Sequence, residues 1–394
     1  MSHPVVVVGV GVVGGFGSGV AALREALRGS VPEPTILAVP CWDANHEMPV
    51  LAADTAPLMR FVDRRALRRV DRFSRLAMLA AHLALEDAGL TTADLRDAGL
   101  VFATGYGASV STLAFLDSVI DDGDPGSSPT AFSGSVHNAA AANLSIVAGI
   151  TGPCLTVSNF ELSLHAALLS AARWIAEGRA STVLLGAVDE FGPVIGYCRE
   201  RFFGAPDPAS FDPLDFARQN AIPGEGAAFF VLKGAGVGDS GLGIGQKQGD
   251  GPCASPSSSS PSRGGPGWGW GYGTIASIAS GTGALRGSIL GDDLLVLGAD
   301  GMAGCSRGYA RAILPGMTAV SWSRLYGSFP TAPALDLAAA LVCAKDGVAY
   351  PTPGGGESAP LAGRAIQCLK VAAEGWGSIT IRVPPPRSGF GMRV

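Results

Sequence analysis

At 394 residues, with 47% hydrophobic and only 15% charged side chains, the chain has enough apolar material for one large α/β unit or two domains around a sizeable core. A net charge of −5 excludes a general attraction to nucleic acid or to anionic membrane. No stretch reads as a membrane span, and seven scattered cysteines without ligand-type spacing fit reduced thiols in a cytoplasm, with neither a disulfide framework nor a metal site.

Residues 1–23 carry no Lys, Arg, Asp or Glu, but the absence of a basic leader and the interrupting glycines argue against a signal peptide. Val5–Val8 reads as a buried strand, Gly9–Gly14 as a glycine-rich turn and Val20–Leu27 as a helix. Gly9-Val-Gly-Val-Val-Gly14 matches the G-x-G-x-x-G dinucleotide fingerprint, yet no second strand ending in a ribose-binding acid follows, so no cofactor is expected. Asp71–Leu90 has helical spacing and a stop at Gly89, and Leu100–Gly105 is a strand ending in glycine. His137 could serve as ligand or base, although a structural, hydrogen-bonded histidine is the commoner case.

Gly152–Ser158 reads as a turn and a short β-favouring run, and Leu162–Ala176 as a helix apolar on nearly every face, hence buried. Glu161 stands at the joint between them. A carboxylate entering a buried helix needs compensation, which the free N–H groups and dipole of a helix start could supply. By composition alone Glu161 simply completes that helix start. Ser181–Glu190 is another buried strand. Gly234–Gly267, dense in Gly, Ser and Pro, reads as a linker or disordered surface loop between an N-terminal half, 1–233, and a C-terminal half, 268–394. Gly273–Ala279 resumes strand-like alternation, and Ala334–Ala344 is the plainest helix of the second half.

Gly152-Pro-Cys-Leu-Thr-Val-Ser-Asn-Phe-Glu161 resembles the nucleophile segment of β-ketoacyl synthases, where the helix begins at a reactive cysteine. In this chain Glu161 takes the cysteine's place. Val5–Leu27, the D-R-F-S helix at Asp71, Phe211-Asp-Pro-Leu-Asp215 and Pro223–Leu232 resemble further segments of that family. Ser135-Val-His-Asn138 is nearest to ketosynthase-like proteins of polyene pathways. The family also needs two C-terminal histidines, and none of the five histidines here lies beyond His165. Asp300 stands where the first is expected, and Ser328 stands near the second. Arg324-Leu-Tyr326 with Ala334-Leu-Asp336, and Ala299-Asp-Gly301, resemble the chain-length factors (ketosynthase-β subunits) of bacterial type II polyketide synthases. The resemblance runs from Val5 to about Val383 outside the linker. It departs in two places: those subunits usually carry glutamine at Glu161, and Pro384–Val394 is extra if Gly375-Trp-Gly377 is the closing glycine-aromatic-glycine loop.

The resemblance implies a thiolase-type α/β fold, two similar halves in a layered αβαβα arrangement. It implies a non-condensing subunit without cofactor or metal. Such a subunit pairs with an active ketosynthase through the strand Leu155–Ser158 and sets the length of an acyl chain delivered by acyl carrier protein. It places Gly107, Val110, Ala114 and Ser133 along the tunnel, small residues that leave room for a long chain. Two other readings stay open. One is a malonyl-carrier decarboxylase or priming enzyme, for which Cys154, the nearest thiol, reads as a core residue of its strand. The other is a purely structural scaffold.

Overall fold

A computed structural model of the chain describes residues 4–41, 44–235, 271–282, 293–313, 316–361 and 363–383. All but the first two residues of the Gly/Ser/Pro-rich stretch 234–267, and the tail from Pro384, lie outside these. Gly234 itself closes a strand rather than opening a linker.

The first half begins with β1 (Val5–Gly14), β2 (Gly17–Ser18) and α1 (Gly19–Leu27), then a hairpin of β3 (Thr35–Pro40) and β4 (Asn45–Val50). Next comes α2 (Arg72–Ala88), capped by Asp71, whose side chain accepts from Ser74 N at 2.7 Å, and closed by Gly89 at φ 65°. It is followed by β5 (Gly99–Thr104), α3 (Ser109–Gly126, kinked at Gly123), α4 (Pro129–Gly134), α5 (Ala139–Ala148), β6 (Cys154–Ser158), α6 (Ser163–Ala176), β7 (Thr182–Asp189), α7 (Pro193–Phe203) and β8 (Gly226–Gly234). The second half has β9 (Gly273–Gly281), β10 (Leu294–Leu297), α8 (Ala303–Ala312), β11 (Thr318–Val320), α9 (Pro333–Asp346), the short ladder β12 (Val348–Ala349) with β13 (Ala359–Pro360), and β14 (Ile366–Ala372) with β15 (Gly375–Arg382).

The strand order repeats. The first half runs β1-β8-β7-β5-β6 and the second β9-β15-β14-β10-β11. In each, the first two pairings are antiparallel and the last two parallel. The two join where Val5–Val7 pairs with Gly273–Ile275.

Side-chain alternation along the strands then builds the layers. On β8, Ala228, Phe230 and Leu232 face a central core shared by α6 and α9, while Ala227, Phe229 and Val231 face an outer core with α2 and α5. On β10, Leu294 and Val296 face the central core, and Leu295 and Leu297 face α8. The result is the αβαβα sandwich expected from the resemblance, with α6 and α9 buried between the two halves of the continuous sheet.

Three local expectations are corrected. Gly9–Gly14 is strand, not turn. A Cβ at Gly9 would lie 2.4 Å from Ala84 O, and one at Gly11 2.0 Å from Ala80 O. These glycines let α2 press its backbone onto β1, so the fingerprint-like spacing records close packing rather than a phosphate cradle. Gly375-Trp-Gly377 opens β15, and the two-residue turn before it is Ala373-Glu374. Cys154 is exposed at the start of β6, not core, because β6 is the edge of the sheet.

Candidate functional site

The joint between β6 and α6 is a strained elbow. Phe160 has φ 42°, the one positive value at a non-glycine among the described residues. Such a conformation costs about 1–3 kcal/mol and persists only where surroundings impose it. Ser163 imposes it: its hydroxyl lies 2.7 Å from Phe160 O and 2.9 Å from Thr104 O, and accepts from Asn159 N at 2.8 Å. The chain therefore turns through a 3-10 turn, Phe160–Leu162, before α6 begins, which puts Glu161 half-buried on that turn. The helix start does not hold its carboxylate, which has no hydrogen-bond partner among the described residues.

What faces Glu161 is a buried charge cluster drawn from four other segments. Lys370 on β14 reaches Gly298 O at 2.9 Å and Asp300 Oδ2 at 3.4 Å. Ser328 donates to Asp300 Oδ2 at 2.8 Å, and Arg199 on α7 donates to Ser328 O and Oγ at 2.8 and 2.9 Å. Burial opposes the Lys370 ammonium, but Asp300, Tyr309 and Glu161 outweigh it and hold its pKa above the ordinary range. Burial likewise opposes the Asp300 carboxylate, and Lys370, the Ser328 hydroxyl and Arg199 outweigh that to hold it below the ordinary range. The field of Glu161 also reaches Tyr106, whose phenol burial pushes up, and the half-buried Cys305. The cluster holds two cations and two carboxylates, each cation committed within the chain.

Two further carboxyls fasten this site. Asp189, fully buried at the end of β7, accepts from Thr104 Oγ1 at 2.8 Å, from Tyr106 N at 2.8 Å and, across the two halves, from Thr331 N at 3.0 Å. Tyr326 donates to Asp336, so the tyrosine and aspartate of the Arg-Leu-Tyr and Ala-Leu-Asp segments bond each other directly. Burial pushes Asp336 up to about 7 against the pull of Tyr326 and Lys370. Beside them His165, one turn below Glu161, is buried against the Gly377 backbone, with no well-formed hydrogen bond to either ring nitrogen among the described residues, and lines a small cavity with Asp336, Cys368 and Lys370. Burial pushes its imidazole down to about 4.

The structure thus brings together Glu161, Asp300 and Ser328, and adds Lys370 and Arg199, which sequence reasoning missed. A lone lysine in the apolar run Ile366–Ala372 was the available signal. Of the residues assigned to the tunnel, Val110 and Ala114 lie on α3, Gly107 just before it, and Ser133 on α4, which packs on α3 through Phe132 and Phe115. Gly107, at φ 67°, lies under the ring of His137, which is itself exposed and makes no hydrogen bond among the described residues. Val110 packs against Gly192, while Ala114 on α3 and Ser133 on α4 are exposed. The Cys154 thiol is pushed up by partial desolvation, the opposite of an activated nucleophile. Among the described residues no helix is long and apolar enough to cross a membrane.

A family model described as β-ketoacyl synthase, N-terminal domain, matches residues 2–236. The chain is 30% identical over 249 residues to a protein of Streptomyces halstedii named as a polyketide β-ketoacyl synthase, a match covering 60% of this chain and 59% of that protein. It is 29% identical over 245 residues to one named for the oxytetracycline polyketide in Streptomyces rimosus, covering 58% and 57%. The chain therefore spans about three fifths of the length of these curated relatives. A solved structure described as the ishigamide ketosynthase/chain length factor superposes with TM-score 0.73 at 17% identity, covering 97% of this chain and 99% of that one. A type II polyketide synthase acyl-carrier protein in complex with its ketosynthase bound to the hexaketide gives TM-score 0.71 at 15% identity, covering 98% and 100%. At these identities the likeness establishes the fold, the thiolase-like fold of ketosynthases.

Proposed function

The chain belongs to the β-ketoacyl synthase family, and we propose that within it this chain is a non-condensing subunit that pairs with a cysteine-bearing ketosynthase and sets the length of the acyl chain. One observation carries the reading: the site is closed upon its own charges. Condensation proceeds through a thioester on the enzyme, which needs a thiolate at the elbow, and a carboxylate there forms none. Decarboxylation of a malonyl thioester needs hydrogen-bond donors aimed at the carbonyl where negative charge develops. At the two histidine positions the chain offers Asp300, held as an acceptor, and Ser328, whose proton goes to Asp300 at 2.8 Å. Lys370 and Arg199 are spent on Gly298, Asp300 and Ser328. This arrangement disfavours the decarboxylase reading as well.

Pairing is supported by β6. It is an edge of the sheet, and the chain segments before and after it carry exposed Leu116, Ile120, Phe132, Val136, Ile146 and Phe160. A bare edge strand in a region rich in exposed apolar residues is a ready template for another chain. Its partner would be the active ketosynthase, and the growing chain would arrive on an acyl carrier protein.

The test is reconstitution with a cysteine-bearing ketosynthase, acyl carrier protein and malonyl-carrier, with products measured by mass. The chain alone should form none. With the ketosynthase it should co-purify and yield products whose length follows the identity of this subunit. Condensation by the single chain, or product length indifferent to exchanging the subunit, refutes the proposal.

A further inference from the structure

The first turn of α3 is seated on a buried carboxyl group outside the charge cluster described above. Glu190, directly after β7, is 2% exposed, and its Oε1 accepts from Val110 N at 3.1 Å. Its Oε2 has no partner among the described residues, and neither has the Ser109 hydroxyl on the same turn. The seam is tight: a Cβ on Gly192 would lie 2.5 Å from Val110 Cγ2. Three charged groups face Glu190, Asp71 and Arg72 at the start of α2 and Glu225 just before β8. The single cation among them is already engaged, because Arg72 is ion-paired with Glu225 and donates to Ala53 O. Glu225 is also fixed by Ala53 N at 2.9 Å and Phe191 N at 3.1 Å.

We propose that Glu190 is a proton-dependent positioning residue for α3. Burial, reinforced by Asp71 and Glu225, outweighs the Val110 N–H and Arg72 and pushes its carboxyl up to about 8. At neutral pH it is therefore an uncharged acid that accepts the Val110 N–H at little cost. Ionised, it places a charge with an unpartnered oxygen in a closed seam, and a buried charge without a partner draws in water or moves toward it. Either response displaces the first turn of α3, which carries Val110 and leads to Ala114. The sign follows from proton linkage. Between the ordinary 4.5 and about 8 the folded chain holds a proton that the unfolded chain has released. Stability drawn from this group therefore falls as pH rises across that window and is level above it. Only the consequence for product length rests on the tunnel role proposed for α3; the seat itself does not.

Amide hydrogen exchange of wild type and Glu190→Gln between pH 7 and 9, corrected for intrinsic rates, tests the proposal. Crossing the titration from one unit below to one unit above should change the ionised fraction, and with it local opening, by about tenfold. Peptides spanning residues 105–116 should therefore lose protection about tenfold in wild type and stay level in the glutamine variant. Equal pH dependence in the two proteins overturns the assignment. If the variant fails to fold, wild type alone decides: the pH-dependent exchange at residues 105–116 must be insensitive to low denaturant, as local opening is, while that of the buried α2 and β8 rises steeply with it; equally steep denaturant dependence at residues 105–116 overturns the assignment. Exchange that shifts while product length in the reconstituted pair does not would uphold the seat and remove the tunnel reading instead.

Discussion

Replacing Lys370 with methionine removes a charge while keeping a side chain of similar length, so the cost isolates the buried ion pair. The Lys370–Asp300 separation is 3.4 Å, with side chains 3% and 10% exposed. At an effective dielectric of about 20 that separation corresponds to roughly 5 kcal/mol of Coulomb attraction. Breaking a buried pair from one side costs about 3–5 kcal/mol. Gly298 O keeps a donor, since Tyr309 Oη lies 2.8 Å away, and Asp300 keeps the Ser328 hydroxyl. Asp300 can also escape by taking up a proton, which for a carboxyl of ordinary pKa costs about 4 kcal/mol at pH 7 and so caps the penalty. The expected loss is about 3–4 kcal/mol at pH 7, shrinking by about 1.4 kcal/mol for each pH unit removed as protonation becomes cheaper. Denaturant unfolding of wild type and Lys370→Met at pH 7 and pH 5 measures it, and adding Asp300→Asn to the variant should restore much of the loss. A cost under about 1 kcal/mol at pH 7, or one equally large at pH 5, would refute the argument that these charges compensate each other.

Glu161→Cys should not give condensation in the single chain, because Asp300 and Ser328 remain where donors are needed; mass detection of a two-carbon-extended product would contradict this. Ala114→Phe, at an exposed position of α3, should shorten products of the reconstituted pair while the pair still co-purifies. Loss of the pair would assign Ala114 to packing instead, and unchanged length would remove it from the tunnel. Gly11→Ala drives a methyl to within 2.0 Å of Ala80 O and should cost about 3 kcal/mol or more, read as lost folded yield or lowered melting temperature. Gly304→Ala, with nothing within 4 Å and a place inside α8, should be neutral or slightly stabilising.

Local signals carried most of the element assignments. Asp71 and Gly89 bound α2 as their capping chemistry requires, and the β-favouring Cys154–Ser158 and the alternation from Gly273 are strands. Where the reason for a residue lay far along the chain, reading failed. Gly9 and Gly11 are explained by α2, some seventy residues later, so the local pattern indicates a turn where the chain forms a strand. The exposure of Cys154 depends on its strand lying at the sheet's edge, which no local pattern states. Asp300 and Ser328 stand out only through the resemblance, and the fold sets their side-chain oxygens 2.8 Å apart. Lys370 and Arg199, from segments without recognisable motif, could be joined to them only in three dimensions. Glu190 was hidden at the end of an apolar strand, where an acidic residue ordinarily means only that the strand has reached solvent.

The bond from Thr331 N to Asp189 spans 142 residues, and it orders events during synthesis. At about 5–20 residues per second the ribosome needs roughly 7–30 s to travel from one to the other. Throughout that interval the emerging first half has a buried-type carboxylate short of a donor, and an α6 whose apolar face lacks the α9 it will meet. The first half can therefore collapse but not close, and the edge of β1 that will pair with β9 is bare meanwhile. Slowing the ribosome within the Gly/Ser/Pro-rich stretch would lengthen that exposure directly.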